Sequence, residues 1–218
     1  MRTITVKGVG TISSRPDYVI VRLTLESKNP DYSAALERAS GAVKAIGEAL
    51  CGIGFEKDAL KTTDYSVQPE YRNVRGLDGN FRQEFEGYAC RYQLKLGFDF
   101  EMKRLSEVLG VVTDTEPKPE ISISFTVKDP AAIDSSLLAA AAANAREKAE
   151  VLCRASGVEL GSLVSVKYDW NGSHYSSDSR VEGAALMSMN LKRDAAIADI
   201  EPDEIKASDS AEFVWEII

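Results

Sequence analysis

The sequence predicts an α+β protein: an antiparallel or mixed sheet with three helices mostly on one of its faces. Three observations carry this expectation. Val19, Val21, Leu23 and Leu25 alternate with Ile20, Arg22, Thr24 and Glu26, the period-two pattern of a strand with one strongly apolar face. Tyr88, Cys90, Tyr92, Leu94, Leu96, Phe98 and Phe100 repeat that pattern against Arg91, Gln93, Lys95 and Asp99. Three further stretches carry apolar residues at helical spacing instead, as helices laid on a sheet do.

The first strand pair spans Ile4 to Glu26. Gly8 and Gly10 interrupt its first half, which points to a bulge or to a close approach by another backbone. Arg15-Pro16-Asp17 supplies the turn, because proline fixes φ and drives its predecessor out of the helical region. Asn29-Pro30-Asp31 ends the second strand, and Asp31 or Ser33 is the expected N-cap of a helix. That helix runs over 33–50 with Leu36, Val43, Ile46 and Leu50 as its stripe, and Gly52 and Gly54 stop it. Thr63, Tyr65 and Val67 then alternate in a strand read as ending near Tyr71. Residues 72–87, rich in glycine and charge, read as the tip of a long hairpin.

The second helix covers 102–113, with Leu105, Val108, Leu109 and Val112 buried, and ISISFTV at 121–127 is a strand. Asp129 and Pro130 open the longest helix, to about Ala155, as N-cap and first-turn residue. Its middle is dominated by alanine, the best helix former and small enough for close packing. Gly157 caps it, and a strand follows with Val164, Val166 and Tyr168 on one side. Residues 171–206 read as a long loop, and 208–218 as a closing strand in which Ala211, Phe213, Trp215 and Ile217 share a face. A strand-helix-strand order occurs twice, at 18–71 and 88–127, without a residue-level repeat. The chain is expected to form a single domain over 1–218.

Composition narrows the function classes. At 28% charged and 44% hydrophobic the 218-residue chain is ordinary for a globular protein. A net charge of −8 disfavours nucleic acid and anionic membrane as principal partners. No apolar run approaches the roughly 20 residues of a membrane span. No leader peptide is visible before strand-like sequence begins, so the expected location is cytoplasmic, or periplasmic or envelope if residue 1 follows a removed leader. Cys51, Cys90 and Cys153 are too dispersed for a metal knuckle or redox dithiol and read as small apolar residues.

Candidate chemistry is sparse. His174, the one histidine, stands among serines without a Gly-x-Ser-x-Gly elbow anywhere in the chain. Gly8 and Gly10 lack the third glycine and following helix of a dinucleotide site. Asp99 and Glu101 could form an acid–base pair, but negative charge beside a helix N-terminus accounts for them more simply. Met187 and Met189 with His174 could hold a soft metal, although methionines at an interface are the commoner case. Asn171-Gly172-Ser173 is a formal glycosylation acceptor. Tyr65, Tyr71, Tyr88 and Tyr92 lie on neighbouring strands and read as core and cross-strand pairs. Leu186, Met187, Met189 and Leu191 are apolar enough to seek a partner surface, and they are the expected oligomer contacts.

Several segments, in order, resemble the SIMPL-domain family. ITVKGVGTISSRPDYVIVRLTLES is similar to the family's Gly-x-Gly and Pro-Asp opening. LKTTDYSVQPEY resembles the strand after its first helix, GYACRYQLKL its Gly-Tyr return strand, and ISFTVKDP with AREKAEVL and ASGVELGSLVSV its third helix and exit. IEPDEIKAS is similar to a Pro-Gly-Glu segment of the family, with Asp203 in place of glycine. Such proteins include bacterial periplasmic or outer-membrane-associated members and an animal protein that binds a receptor-associated kinase. The resemblance carries no catalytic motif and no cofactor. It implies a non-enzymatic protein that self-assembles or binds a partner, linked to envelope or oxidative-stress responses, with some members forming rings or channel-like oligomers. The alternative is a small-molecule or metal binder using 171–206.

Overall fold

A computed structural model describes residues 2–75, 81–116, 118–169, 175–182 and 201–218, with the backbone alone at 180–182. Among the described residues it is α+β, with three helices and two antiparallel sheets. The elements are β1 (Thr3–Ser14), β2 (Tyr18–Asn29), α1 (Tyr32–Gly52), β3 (Lys61–Arg75), β4 (Phe81–Asp99) and α2 (Met102–Thr113). They continue with β5 (Glu120–Thr126), α3 (Pro130–Ala155), β6 (Leu160–Lys167), β7 (Ser176–Glu182) and β8 (Ile205–Ile217). The chain divides into two compact units. The first takes Met1–Asp17, Thr126–Ser179 and Pro202–Ile218; the second takes Tyr18–Phe125 and Arg180–Glu201.

In the second unit the order β2-α1-β3-β4-α2-β5 is a split β-α-β pair, laid out in space as β3-β4-β2-β5. This is what the doubled strand-helix-strand order in the sequence encodes. Val21 faces Leu96 and Leu23 faces Leu94 across the β2–β4 ladder. Ile46 and Leu50 of α1 and Leu105, Val108, Leu109 and Val112 of α2 cover them, and Val43 packs at the margin. Asp31 accepts from the Ala34 amide at 2.8 Å, so the α1 cap is the expected one. The strands β3 and β4 form the long hairpin but reach Arg75 and resume at Phe81, well beyond the end near Tyr71 that the sequence implies.

The first unit carries a three-stranded sheet ordered β1-β8-β6, on which α3 lies. Strands that the sequence assigns to one sheet are therefore shared between two. Alternation shows that a strand has a covered face but not which helix covers it. Gly8 and Gly10 mark a close approach and not a bulge, because the β1–β8 register is unbroken from Thr3 to Ser14. A Cβ on Gly8 would collide with the Ala141 carbonyl oxygen and lie 2.7 Å from the Ala145 Cβ; one on Gly10 would collide with the Leu137 carbonyl oxygen. The alanine-rich middle of α3 supplies the matching flat face, with Ala141, Ala145 and Ala149 fully buried. Asp129 caps α3 through the Ala132 amide and Pro130 occupies its first turn, as expected. Asp17 ties down the preceding strand exit by accepting from the Lys128 amide.

Two further differences concern 171–206, read as loop. Ser176–Glu182 forms a strand, β7. Its sequence, SSDSRVE, has no apolar alternation to betray a strand. The closing strand also begins earlier, at Ile205, which is buried against Val127, Leu137 and Tyr175.

Candidate interaction surfaces

Several of the residues singled out from the sequence can be placed in the structure. Glu101 occupies the N-cap of α2 without a side-chain cap bond, and its neighbour Asp99 ends β4 opposite Tyr18. Cys90 is buried beneath Ala35 and Ala39, and burial pushes its thiol up, the opposite of an activated nucleophile. Cys153 is buried and Cys51 half-buried, all three unpaired. Tyr65 and Tyr92 form the expected cross-strand pair, with ring centroids 4.6 Å apart. Among the described residues no three His, Cys, Asp or Glu side chains gather as metal ligands. His174, Asn171, Leu186, Met187, Met189 and Leu191 lie outside the described residues.

Two tyrosine–carboxylate pairs stiffen the first unit. The Tyr168 hydroxyl donates to Asp209 at 2.7 Å, and the Tyr175 hydroxyl donates to Asp134. The Asp209 bond pushes Tyr168 up to about 12, so this phenol stays protonated and is no general base near neutrality. In the second unit, Arg91 and Lys28 hold Glu26 below the usual carboxylate range, and Lys28 also bridges to Glu70 at 2.6 Å. A pocket of about 200 Å³ is lined by Lys28, Asn29, Pro30, Glu70, Glu86, Gly87 and Tyr88. A more open depression of about 400 Å³ lies along Thr11–Ser13 and Lys206–Ser208. On the second, the Ser13 hydroxyl donates to the Glu204 carboxylate at 2.5 Å.

Among the described residues, two stretches of strand carry several exposed apolar side chains each. The first is β6, one edge of the three-stranded sheet, where Leu163, Val164 and Val166 are each about half exposed. The opposite edge, β1, is guarded: the Val9 amide donates to Asn144 of α3 at 3.1 Å, and Lys148 donates to the Lys7 carbonyl at 3.3 Å. The second is the outer part of the β3–β4 hairpin. β2 ends at Asn29, opposite Tyr88, so 70–75 and 81–87 continue as a two-stranded arm. Phe81 is 72% exposed there and Tyr71 55%. The sequence reads these tyrosines as core and cross-strand pairs; Tyr71 does pair across the strands, with Phe85, but is exposed.

The SIMPL family model, described as a protein of unknown function (DUF541), matches residues 4–215. The chain is also similar to the 26 kDa periplasmic immunogenic proteins of Brucella melitensis biotype 1 and Brucella abortus. Each is 26% identical over 165 residues, which is 75% of this chain and 65% of the relative. The match thus spans just under two thirds of those relatives' own length. No helix among the described residues is long and apolar enough to cross a membrane.

Proposed function

The chain belongs to the SIMPL family, and on that premise we propose that it is a non-enzymatic, self-assembling protein whose two units form one family domain. The observation that carries this reading is the contrast between the two edges of the three-stranded sheet. One edge is closed by Asn144 and Lys148, while the other presents Leu163, Val164 and Val166 to water. Each such side chain gains about 1.5–3 kcal/mol on full burial. The register of β6 is irregular between Leu160 and Ser165, and bulges blunt strand addition, so the contact is made by these side chains rather than by a continued ladder.

The periplasmic Brucella relatives favour a periplasmic location, and the family resemblance favours a part in envelope or oxidative-stress responses. Light scattering tests the assembly. The wild type is expected well above the 23.8 kDa of one chain, and Val164→Lys with Val166→Lys is expected to lower that mass. A wild type that runs at 23.8 kDa at micromolar concentration contradicts the reading.

A further inference from the structure

Of the sheet edges β1, β3 and β6, only β1 pairs with its neighbour without a register shift, from Thr3 to Ser14. β6 has two shifts against β8. β3 has two against β4 and carries Pro69. Bulges and proline blunt an edge by themselves. β1 has neither. Its sequence, TITVKGVGTISS, is rich in β-branched residues and holds one charge, Lys7. Left open, such a strand offers its outward amides and carbonyls to another chain.

This regular edge is the one that α3 reaches. Successive residues of an antiparallel strand turn their backbone groups alternately toward and away from the partner. The Val9 amide donates to Asn144 Oδ1 at 3.1 Å and Lys148 Nζ donates to the Lys7 carbonyl at 3.3 Å, so Lys7 and Val9 are outward residues. The two occupied groups flank Gly8. Asn144 and Lys148 are four residues apart and share one flank of the helix. Gly8 is also where α3 sits closest: a Cβ there would collide with the Ala141 carbonyl oxygen and lie 2.7 Å from the Ala145 Cβ. Glycine lets the helix down far enough for a side chain as short as asparagine to reach past the strand. Seat and guard are one feature.

We propose that β1 is a strand-addition site held shut by α3: Asn144 and Lys148 occupy the groups through which β1 would pair with β1 of a second copy. Two identical edges related by a two-fold axis form an antiparallel ladder, so the open edge is self-complementary without any further contact. The proposal stands apart from the β6 contact. It names the edge that the chain keeps out of assembly and the two side chains that keep it out.

The test uses the whole chain carrying Val164→Lys and Val166→Lys, so that association through β6 does not mask the result. Asn144→Ala with Lys148→Ala removes both bonds and keeps a good helix former at each position. Its sedimenting mass is expected to rise about twofold with concentration, the step to a two-fold pair. Hydrogen exchange at Val9 is expected to be fast in dilute solution and slow in concentrated solution, a change that general loss of stability would not produce. Asn144→Asp with Lys148→Arg keeps an acceptor and a donor and is expected to show neither effect. A folded double-alanine chain of unchanged mass at every concentration overturns the proposal, whether or not the wild type assembles through β6. A rise in mass shared by the aspartate–arginine chain overturns it too, because the lost bonds would not be the cause. Should the double-alanine chain melt below the working temperature, Asn144→Ala alone takes its place, and a mass equal to that of Asn144→Asp overturns the proposal.

Discussion

In the first unit α3 meets β1 through glycine and alanine, with Phe213 and Trp215 of β8 packed beside them; in the second, two helices meet their sheet through leucine, isoleucine, valine and phenylalanine. The chemistry of burial is the same, but the tolerances differ. On the β2–β4 sheet the contact is side chain against side chain, so a lost methyl group leaves a void. Where α3 crosses β1 at Gly8 and Gly10 the contact is backbone carbonyl against glycine, so an added methyl group has no room. One interface is sensitive to subtraction and the other to addition.

The largest expected effect lies on the subtractive side. Leu96 is fully buried between β2 and the helices, and Leu96→Ala is expected to cost about 2–5 kcal/mol in denaturant unfolding. A cost below 1 kcal/mol would mean that the sheet collapses around the gap, and the contrast between the interfaces would weaken. On the additive side, Ala145→Leu in α3 adds three heavy atoms beside Gly8 and should cost about 1–3 kcal/mol. Stability retained there would show that α3 can lift from β1.

Smaller effects sharpen the picture. Asp129→Ala removes the α3 cap, with an expected loss of about 1 kcal/mol. Glu26 is held below its ordinary value of 4.5, chiefly by its bond to Arg91. Its contribution is therefore full above the ordinary carboxylate range and is lost as pH falls through the lowered folded value. Arg91→Ala should shrink that acid-side dependence while barely changing stability at neutral pH, since exposed pairs are weak. Tyr168 behaves in the opposite sense. Its raised value of about 12 preserves the Asp209 bond below the ordinary phenol range and loses it as pH climbs through 12. Asp209→Asn should bring the ultraviolet titration of this phenol back toward the ordinary range.

Helices were the most legible part of the fold, because their ends are written in local chemistry: Asp31 and Asp129 as caps, Pro130 in the first turn, Gly157 at the exit. Strand partners were not legible. Val6 with Gly8 and Gly10, and Val21 with Leu23, alternate alike, and only the size of the facing helix residues separates the two sheets. The alternation of small residues on β1 with the alanine run of α3 was the available clue. Polar strands escaped notice for the reverse reason: β7 and the outer hairpin carry serine, asparagine and charge where a strand signal needs valine or leucine. The outer hairpin surface was hidden because 72–87, with Phe81 and Phe85, read as a turn-like tip rather than as paired strands. The apolar group expected to make contacts, Leu186, Met187, Met189 and Leu191, lies outside the described residues.

The most direct test places the same substitution on two glycines. Gly8 faces the carbonyl of Ala141, whereas an added Cβ on Gly41, on the exposed side of α1, meets nothing within 4 Å. Urea unfolding of the wild type, Gly8→Ala and Gly41→Ala measures both under one condition. Gly41→Ala is expected to stabilise by roughly 0.5–1 kcal/mol, the helix-propensity gain. Gly8→Ala is expected to destabilise by about 1–3 kcal/mol. Opposite signs bear out a backbone-to-backbone seat for α3; a Gly8→Ala chain as stable as the wild type contradicts it.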